Sequence, residues 1–265
     1  MANQGSSPVD LAPVCRICGQ GTFFFDDTLV LRKYPVKYFR CKSCGFVQTE
    51  DPYWQSEAYS SAITKQDVGI MQRNLANAEV TSAVIRTLYP SVKRAIDFGG
   101  GHGIFVRLMR DRGFSFDWFD SYASNDYARG FELDRSTSYD FLTAFEVLEH
   151  LMNPLDEISA MMKLAPHIFV TTLLLPEPIP KLSDWWYFSP ATGQHISFYT
   201  KASLEVVAHR FGRHLLSQGP FHLFTTEPKK SIFFRMATRE KVARLLNWPR
   251  RNQSLTESDH DLLSS

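Results

Sequence analysis

Ile96-Asp97-Phe98-Gly99-Gly100-Gly101-His102-Gly103 is the stretch that decides the fold. It follows an apolar run at 94–98 that reads as a buried strand, and it opens a helix-like run at 104–112 with Gly113 placed as its cap. Glycines at 99, 101 and 103 let the backbone bend sharply and leave room for a ligand against it. The spacing is G-x-G-x-G rather than the dinucleotide G-x-G-x-x-G, and there is no Walker lysine. Taken alone, the turn could equally be a tight structural bend.

Its surroundings favour a ligand. Asp97 opens the turn, and Asp120 ends the next strand (114–119), 23 positions on. A carboxylate at that place can accept both ribose hydroxyls of a nucleoside, with the ligand lying across the carboxyl ends of the strands. Further strands are expected at 139–145 and 167–174, with a helix at 154–164 between them. This alternation argues for a parallel sheet covered by helices. A helical pattern at 65–89 precedes the sheet and stops at Pro90. After it, Thr200 can cap a helix running to 211, strands at 221–226 and 231–237 look like an antiparallel pair, and 238–248 reads as a short helix.

All four cysteines fall in two identical spacings, Cys15-Arg-Ile-Cys18-Gly19 and Cys41-Lys-Ser-Cys44-Gly45. A two-residue spacer lets both thiolates of a pair reach one ion, and the following Gly suits the turn that aims backbone N–H groups at sulfur. Cys15, Cys18, Cys41 and Cys44 therefore make a tetrahedral four-thiolate site that favours zinc in a structural role, since no coordination position is left open. The competing reading is four reduced core cysteines.

Here the chain resembles the class I S-adenosylmethionine-dependent methyltransferases, over about residues 95–237. The resemblance is carried by the D-F-G-G-G-H-G turn, by the strand-terminal Asp120, and by Ala144-Phe145-Glu146-Val147-Leu148-Glu149-His150, whose E-V-L-E-H string is similar to that of ubiquinone-type O-methyltransferases. The cysteine unit, with Gln194-His195-Ile196-Ser197-Phe198-Tyr199-Thr200 further on, resembles a subgroup associated with sugar or polysaccharide methylation. The resemblance implies an α/β fold: a Rossmann-like seven-stranded methyltransferase sheet with a small N-terminal zinc ribbon. It implies S-adenosylmethionine as donor, with Gly99, Gly101 and Gly103 along its methionine and ribose portion, Asp97 at its amino group, Asp120 at its ribose, and Phe145 and Glu146 near its methionine end. The stretch between Asp120 and Tyr139 is short for a full helix plus strand, so Phe131 or Glu132 is expected to supply the adenine contact.

Methyl transfer from a sulfonium is an in-line displacement in which the protein mainly positions the acceptor. A hydroxyl acceptor benefits from a nearby base, and histidine titrates in the right range. His150 and His195 are the candidates, against the plainer readings of a helix-start residue and a loop anchor. Glu146 and Glu149 with His150 could also hold a divalent ion, or could be a solvated helix start. Trp185, Trp186, Tyr187 and Phe188, in a Pro-rich loop at 175–199, could stack on a sugar or simply pack the loop. The expected acceptor is thus a sugar or other hydroxylated small molecule. The alternatives are an RNA base methyltransferase with a zinc-ribbon recognition unit, and an inactive donor-binding module.

Composition bounds these readings. The 265 residues allow one large domain with a small appendage at roughly 150 residues per domain. With 44% hydrophobic and 22% charged residues, neither wholesale disorder nor a coiled coil fits. A formal charge of +1 argues against a nucleic-acid partner. No segment has the roughly 20 apolar residues of a membrane span, and no signal peptide is evident, so a cytoplasmic protein is expected. The expected organisation is a disordered amino terminus over 1–14, the cysteine unit at 15–52, the catalytic domain at 65–248 and a disordered tail over 249–265.

Overall fold

The computed structural model describes residues 12–59, 67–248 and 252–264. In chain order its elements are β1 (Thr22–Val30), β2 (Tyr34–Cys41), β3 (Val47–Thr49), α1 (Gln55–Ala58), α2 (Ile70–Leu88), β4 (Arg94–Phe98), α3 (Ile104–Asp111), β5 (Ser115–Phe119), β6 (Phe141–Phe145), α4 (Pro154–Leu164), β7 (His167–Thr171), β8 (Ser197–Phe198), α5 (Lys201–Arg210), β9 (His214–Gln218), β10 (Phe221–Thr225), α6 (Ser231–Ala237), α7 (Glu240–Asn247) and α8 (Thr256–Ser264). Short 3-10 turns occur at Leu148–His150 and Trp186–Phe188.

The main sheet has the order β5-β4-β6-β7-β10-β9. Strands β5, β4, β6 and β7 run parallel; β10 pairs antiparallel with β7, and β9 pairs antiparallel with β10, so that β10 alone of the six is reversed. The parallel strands are buried on both faces, which is why they read as continuous apolar runs. Successive residues divide between two cores. Leu142, Ala144, Ile168 and Val170 face one, with Leu204 and Val207 of α5. Phe141 and Phe169 face the other, with Val84 of α2, Val106 and Met109 of α3, and Phe234 of α6.

Among the described residues the main sheet has six strands where seven were expected. The 120–140 stretch is too short for a second crossover. It adds a single rung beyond β5: Trp118 N–H donates to the Phe131 carbonyl (2.7 Å) and Leu133 N–H to the Trp118 carbonyl (2.8 Å).

Two other expectations change. Residues 231–237 form a helix, not a strand, because β9 already occupies the pairing edge of β10 and because the stretch buries Phe234 and Ala237, three apart, while Ile232, Phe233 and Met236 stay exposed. The hairpin is β9–β10 instead. The tail expected to be free carries α8, and Asp259 within it is buried. Of the amino terminus, residues 1–11 lie outside the described residues, while Val14 pairs with Gly21. Residues 65–66 of the expected first helix, and 249–251 and 265 of the tail, also lie outside them. No helix among the described residues is long and apolar enough to cross a membrane.

The cysteine unit forms a second sheet of order β1-β2-β3-β8. Its last strand comes from the far side of the chain, with Val47 opposite Phe198 and Gln48 opposite Ser197. Cys15, Ile17, Cys41, Cys44 and Phe46 share one core with Leu148, Tyr199 and Leu204.

Candidate active site

The glycine-rich turn leaves β4 at its carboxyl end, beside the point where the order reverses between β5 and β6. In open α/β sheets that crevice is where ligands bind. Gly99, Gly101 and Gly103 have φ of +73°, +53° and +85°, which L side chains rarely adopt. A Cβ at Gly99 would also lie 2.5 Å from Val147. Asp120 braces the turn from β5: one carboxylate oxygen accepts from Gly101 N–H (2.9 Å), the other from Tyr122 and Ala123 N–H (2.7 and 2.9 Å). Asp97 is 3% exposed and accepts from the Thr143 hydroxyl (2.6 Å). Burial pushes its carboxyl up to about 7, and the charge of Asp120 adds to this. His102 belongs to the support: its carbonyl accepts from Asp126 and Tyr127 N–H, which folds the following loop over the turn.

The structure thus gathers Asp97, Gly99, Gly101, Gly103 and Asp120 at one place. Phe131 and Glu132 are engaged elsewhere. The Phe131 ring is 6% exposed and carries the Arg110 guanidinium 3.5 Å from its centroid. Glu132 accepts from the Asn125 amide (2.7 Å). Phe145 packs edge-on against Phe105 and Phe169 in the core.

A second cluster stands at the carboxyl end of β6. Glu146 has φ of +54°, a left-handed turn held because its N–H donates to Thr171 Oγ1 (3.0 Å) and the Thr171 hydroxyl donates to its Oε1 (2.9 Å). The turn swings Leu148–His150 across the end of the sheet. Glu149 is 0% exposed: Oε1 accepts from the Tyr187 hydroxyl (2.5 Å), and Oε2 has no partner. His150 Nδ1 faces the Gln194 carbonyl at 3.1 Å, and His195 Nδ1 faces the Tyr187 carbonyl at 2.7 Å. Carbonyls only accept, so each Nδ1 carries the proton and each Nε2 keeps a lone pair. The two rings meet edge to face with centroids 4.9 Å apart. One ligand atom from each of Glu149, His150 and His195 lies within 4.8 Å of the others. Burial lowers His150 to about 3 and also lowers His195. Burial raises Glu146 and Glu149 to about 7.

Sequence reasoning missed the part that two members of this region play. Tyr187 was seen only as part of an aromatic run, yet it is buried and also takes a hydrogen bond from Leu173 N–H (3.2 Å). Tyr59 stacks on Tyr122 (centroids 4.8 Å) and meets the His150 ring edge-on (6.2 Å). No motif marks either tyrosine. Of the aromatic run, Phe188 is core and Trp186 is 75% exposed.

The four cysteines converge as the spacing requires. Their sulfurs lie within 4.8 Å of one another, with Cys15–Cys44 at 3.7 Å and Cys18–Cys41 at 3.3 Å. Sulfurs on a tetrahedral zinc, at about 2.3 Å from the ion, stand about 3.8 Å apart. Gly19 and Gly45 both have φ of +71°, and the Ile17, Ser43 and Cys44 N–H groups point at sulfur (3.3–3.4 Å).

Residues 71–218 match the family described as a methyltransferase domain. No protein of curated function matches the chain. Among solved structures, an O-methyltransferase family protein from Burkholderia thailandensis is similar at 15% identity and a TM-score of 0.49, over 64% of this chain and 61% of its own length. The plantazolicin methyltransferase BpumL, solved with SAH, is similar at 11% identity and 0.46, over 72% of this chain and 89% of its own. DesVI of Streptomyces venezuelae is similar at 11% and 0.45, over 62% of this chain and 99% of its own. The chain thus spans about three fifths of the length of the first of these.

Proposed function

We propose, for a chain that belongs to the methyltransferase-domain family, transfer of a methyl group from S-adenosylmethionine to a hydroxyl oxygen of a small molecule, with a sugar as the expected class of acceptor. The observation that carries this reading is the pair of neutral imidazoles, each with its Nε2 lone pair available, beside buried Glu149 at the strand end next to the glycine turn.

The donor's expected seat fits the residues present. Three left-handed glycines leave backbone where a side chain would intrude, and Asp97 sets a buried carboxyl at the foot of the turn. When bound, S-adenosylmethionine supplies a methyl group on a sulfonium whose carbon–sulfur bond breaks to leave a neutral thioether. Asp97 is the partner for the donor's ammonium, and Asp120, already fixed by three backbone amides, for its ribose.

The acceptor oxygen forms the new bond to carbon and must give up its proton. His195 Nε2 takes it, with the Glu146 carboxylate favouring the imidazolium that results. His150, held more firmly neutral, orients the acceptor. The cysteine cluster holds zinc as a structural ion and fixes the loop that carries His195.

Replacing His195 and His150 singly with Ala is expected to cut kcat by about 10²–10⁴ fold for the base and less for its neighbour. Donor binding, measured by calorimetry with S-adenosylhomocysteine, should stay within about threefold. Unchanged turnover in both variants, assayed with labelled donor over sugar nucleotides, phenols and RNA, would sink the reading.

A further inference from the structure

Glu149 presents a problem that the proton-transfer reading leaves unsolved. Its Oε2 is buried without a partner, although an unpaired buried carboxylate oxygen carries a full desolvation cost. The two imidazoles beside this carboxyl offer it no proton. Both imidazoles have their protons turned outward, onto the Gln194 and Tyr187 carbonyls, so lone pairs face inward. Two lone-pair nitrogens and a carboxylate oxygen crowding one space repel each other unless something positive lies between them.

We propose that Glu149, His150 and His195 bind a divalent first-row transition cation, separate from the cysteine site. This rests on the reading of the cluster as the acceptor-activating centre and changes one step of it: with a cation bound, His195 Nε2 is a ligand and no longer the base. The donor set is two imidazole nitrogens and one carboxylate oxygen, which suits Mn²⁺, Fe²⁺, Co²⁺ or Zn²⁺ and disfavours Ca²⁺ and Mg²⁺. Three protein ligands leave coordination positions open, as in sites that act on a substrate. Ligands about 2.1 Å from a common ion lie within roughly 4.2 Å of each other. The three atoms here, within 4.8 Å, need only slight closure.

The surrounding bonds are those of a ligand cage. Each imidazole is oriented through Nδ1 by a backbone carbonyl, and Glu149 is oriented through Oε1 by Tyr187, itself tied to Thr172 (3.1 Å). With the cation present, the two Nε2 atoms are ligands. The acceptor hydroxyl then occupies an open position and loses its proton to solvent water as the cation acidifies it. An acceptor with two adjacent hydroxyls suits such a site best, since both oxygens can ligate.

The test is Mn²⁺ binding to the full chain, followed by electron paramagnetic resonance in the absence of donor and acceptor. Mn²⁺ is a poor partner for the thiolate site, so that signal reports this cluster. The expected result is one saturable Mn²⁺ per chain, weakened at least tenfold in Glu149→Gln and in His195→Asn. Both variants conserve shape and should still bind S-adenosylhomocysteine. Absence of saturable Mn²⁺ uptake by the unsubstituted protein, or equal uptake by it and by both variants, overturns the proposal. If S-adenosylhomocysteine also fails to bind the unsubstituted protein, the methyl-transfer reading falls with it. If it binds, only the cation is lost.

Discussion

Asp97, the proposed partner of the donor's ammonium, ties stability to pH. Its carboxyl is taken out of water at the foot of the turn, so its affinity for a proton rises from the ordinary 3.8 to about 7. The folded chain therefore keeps a proton that the unfolded chain releases. The sign follows: this position favours folding most below about pH 4, and that stability is lost as pH rises to about 7, flat beyond. Donor binding should run the other way, because only the ionised carboxylate pairs with an ammonium. Affinity for S-adenosylhomocysteine is expected to rise between pH 6 and 8, and Asp97→Asn to weaken it by about 10–100 fold and to flatten its pH dependence. Calorimetry across that range checks both, and a pH-independent affinity in the unsubstituted protein would remove Asp97 from the donor site. The residues around this turn were legible because glycine spacing and strand-end carboxylates are local signals. Tyr59 and Tyr187 were not, since what makes them matter is a partner 38 or more positions away.

At the scale of elements, helices with an explicit start were the readable ones. Thr200 caps α5 with a capping box through Ser203, and Gly103 in its left-handed conformation opens α3. Helix α8 has Ser254 Oγ accepting from Thr256 N–H at its start (3.2 Å), and Leu255 N–H bonded to the Arg110 carbonyl (3.0 Å) and a buried ion pair hold it on the domain. Asp259 accepts from Arg110 Nε (2.9 Å) and from a second guanidinium nitrogen (2.5 Å), both partners nearly buried, while Arg107 adds a third contact at 2.9 Å. The same guanidinium lies on the Phe131 ring, so the tail braces the loop that carries the extra β5 rung. Removing one partner of a buried pair strands the other. Asp259→Ala is expected to cost about 3–5 kcal/mol of stability in denaturant titration. A loss within about 0.5 kcal/mol would mean that α8 does not hold this face together. Residues 231–237 misled for the opposite reason: Ile-Phe-Phe favours a strand by propensity, and the filled edge of β10 overrides it.

Across the whole molecule, the cysteine unit is part of the scaffold of the candidate site. Strand β8 closes its sheet, the Thr200 hydroxyl donates to the Cys44 carbonyl (2.6 Å), and Phe46 packs on Tyr199 at 5.0 Å. His195 lies two positions before β8, and Ile196 N–H donates to the Glu149 carbonyl (2.9 Å). If the cysteines hold zinc as proposed, its loss should therefore loosen His195 while leaving the β4 turn in place. Cys41→Ser is expected to hold less than half an equivalent of zinc, to melt several degrees lower and to lose most turnover, yet to bind S-adenosylhomocysteine within about fivefold of the parent. Full turnover in a zinc-depleted variant would separate the unit from catalysis.

The sequence alone determined the α/β alternation, the glycine-rich turn and the two cysteine knuckles, because each is written in residues within a few positions of one another. It also put His150 and His195 forward by their neighbours in the chain. That these rings meet, that Glu149 is buried beside them without a full set of partners, and that a two-residue strand joins the cysteine sheet to their loop were decided only by the tertiary structure. Such contacts link positions far apart in the chain, and their free energy depends on burial and distance, which no local pattern of residue types encodes.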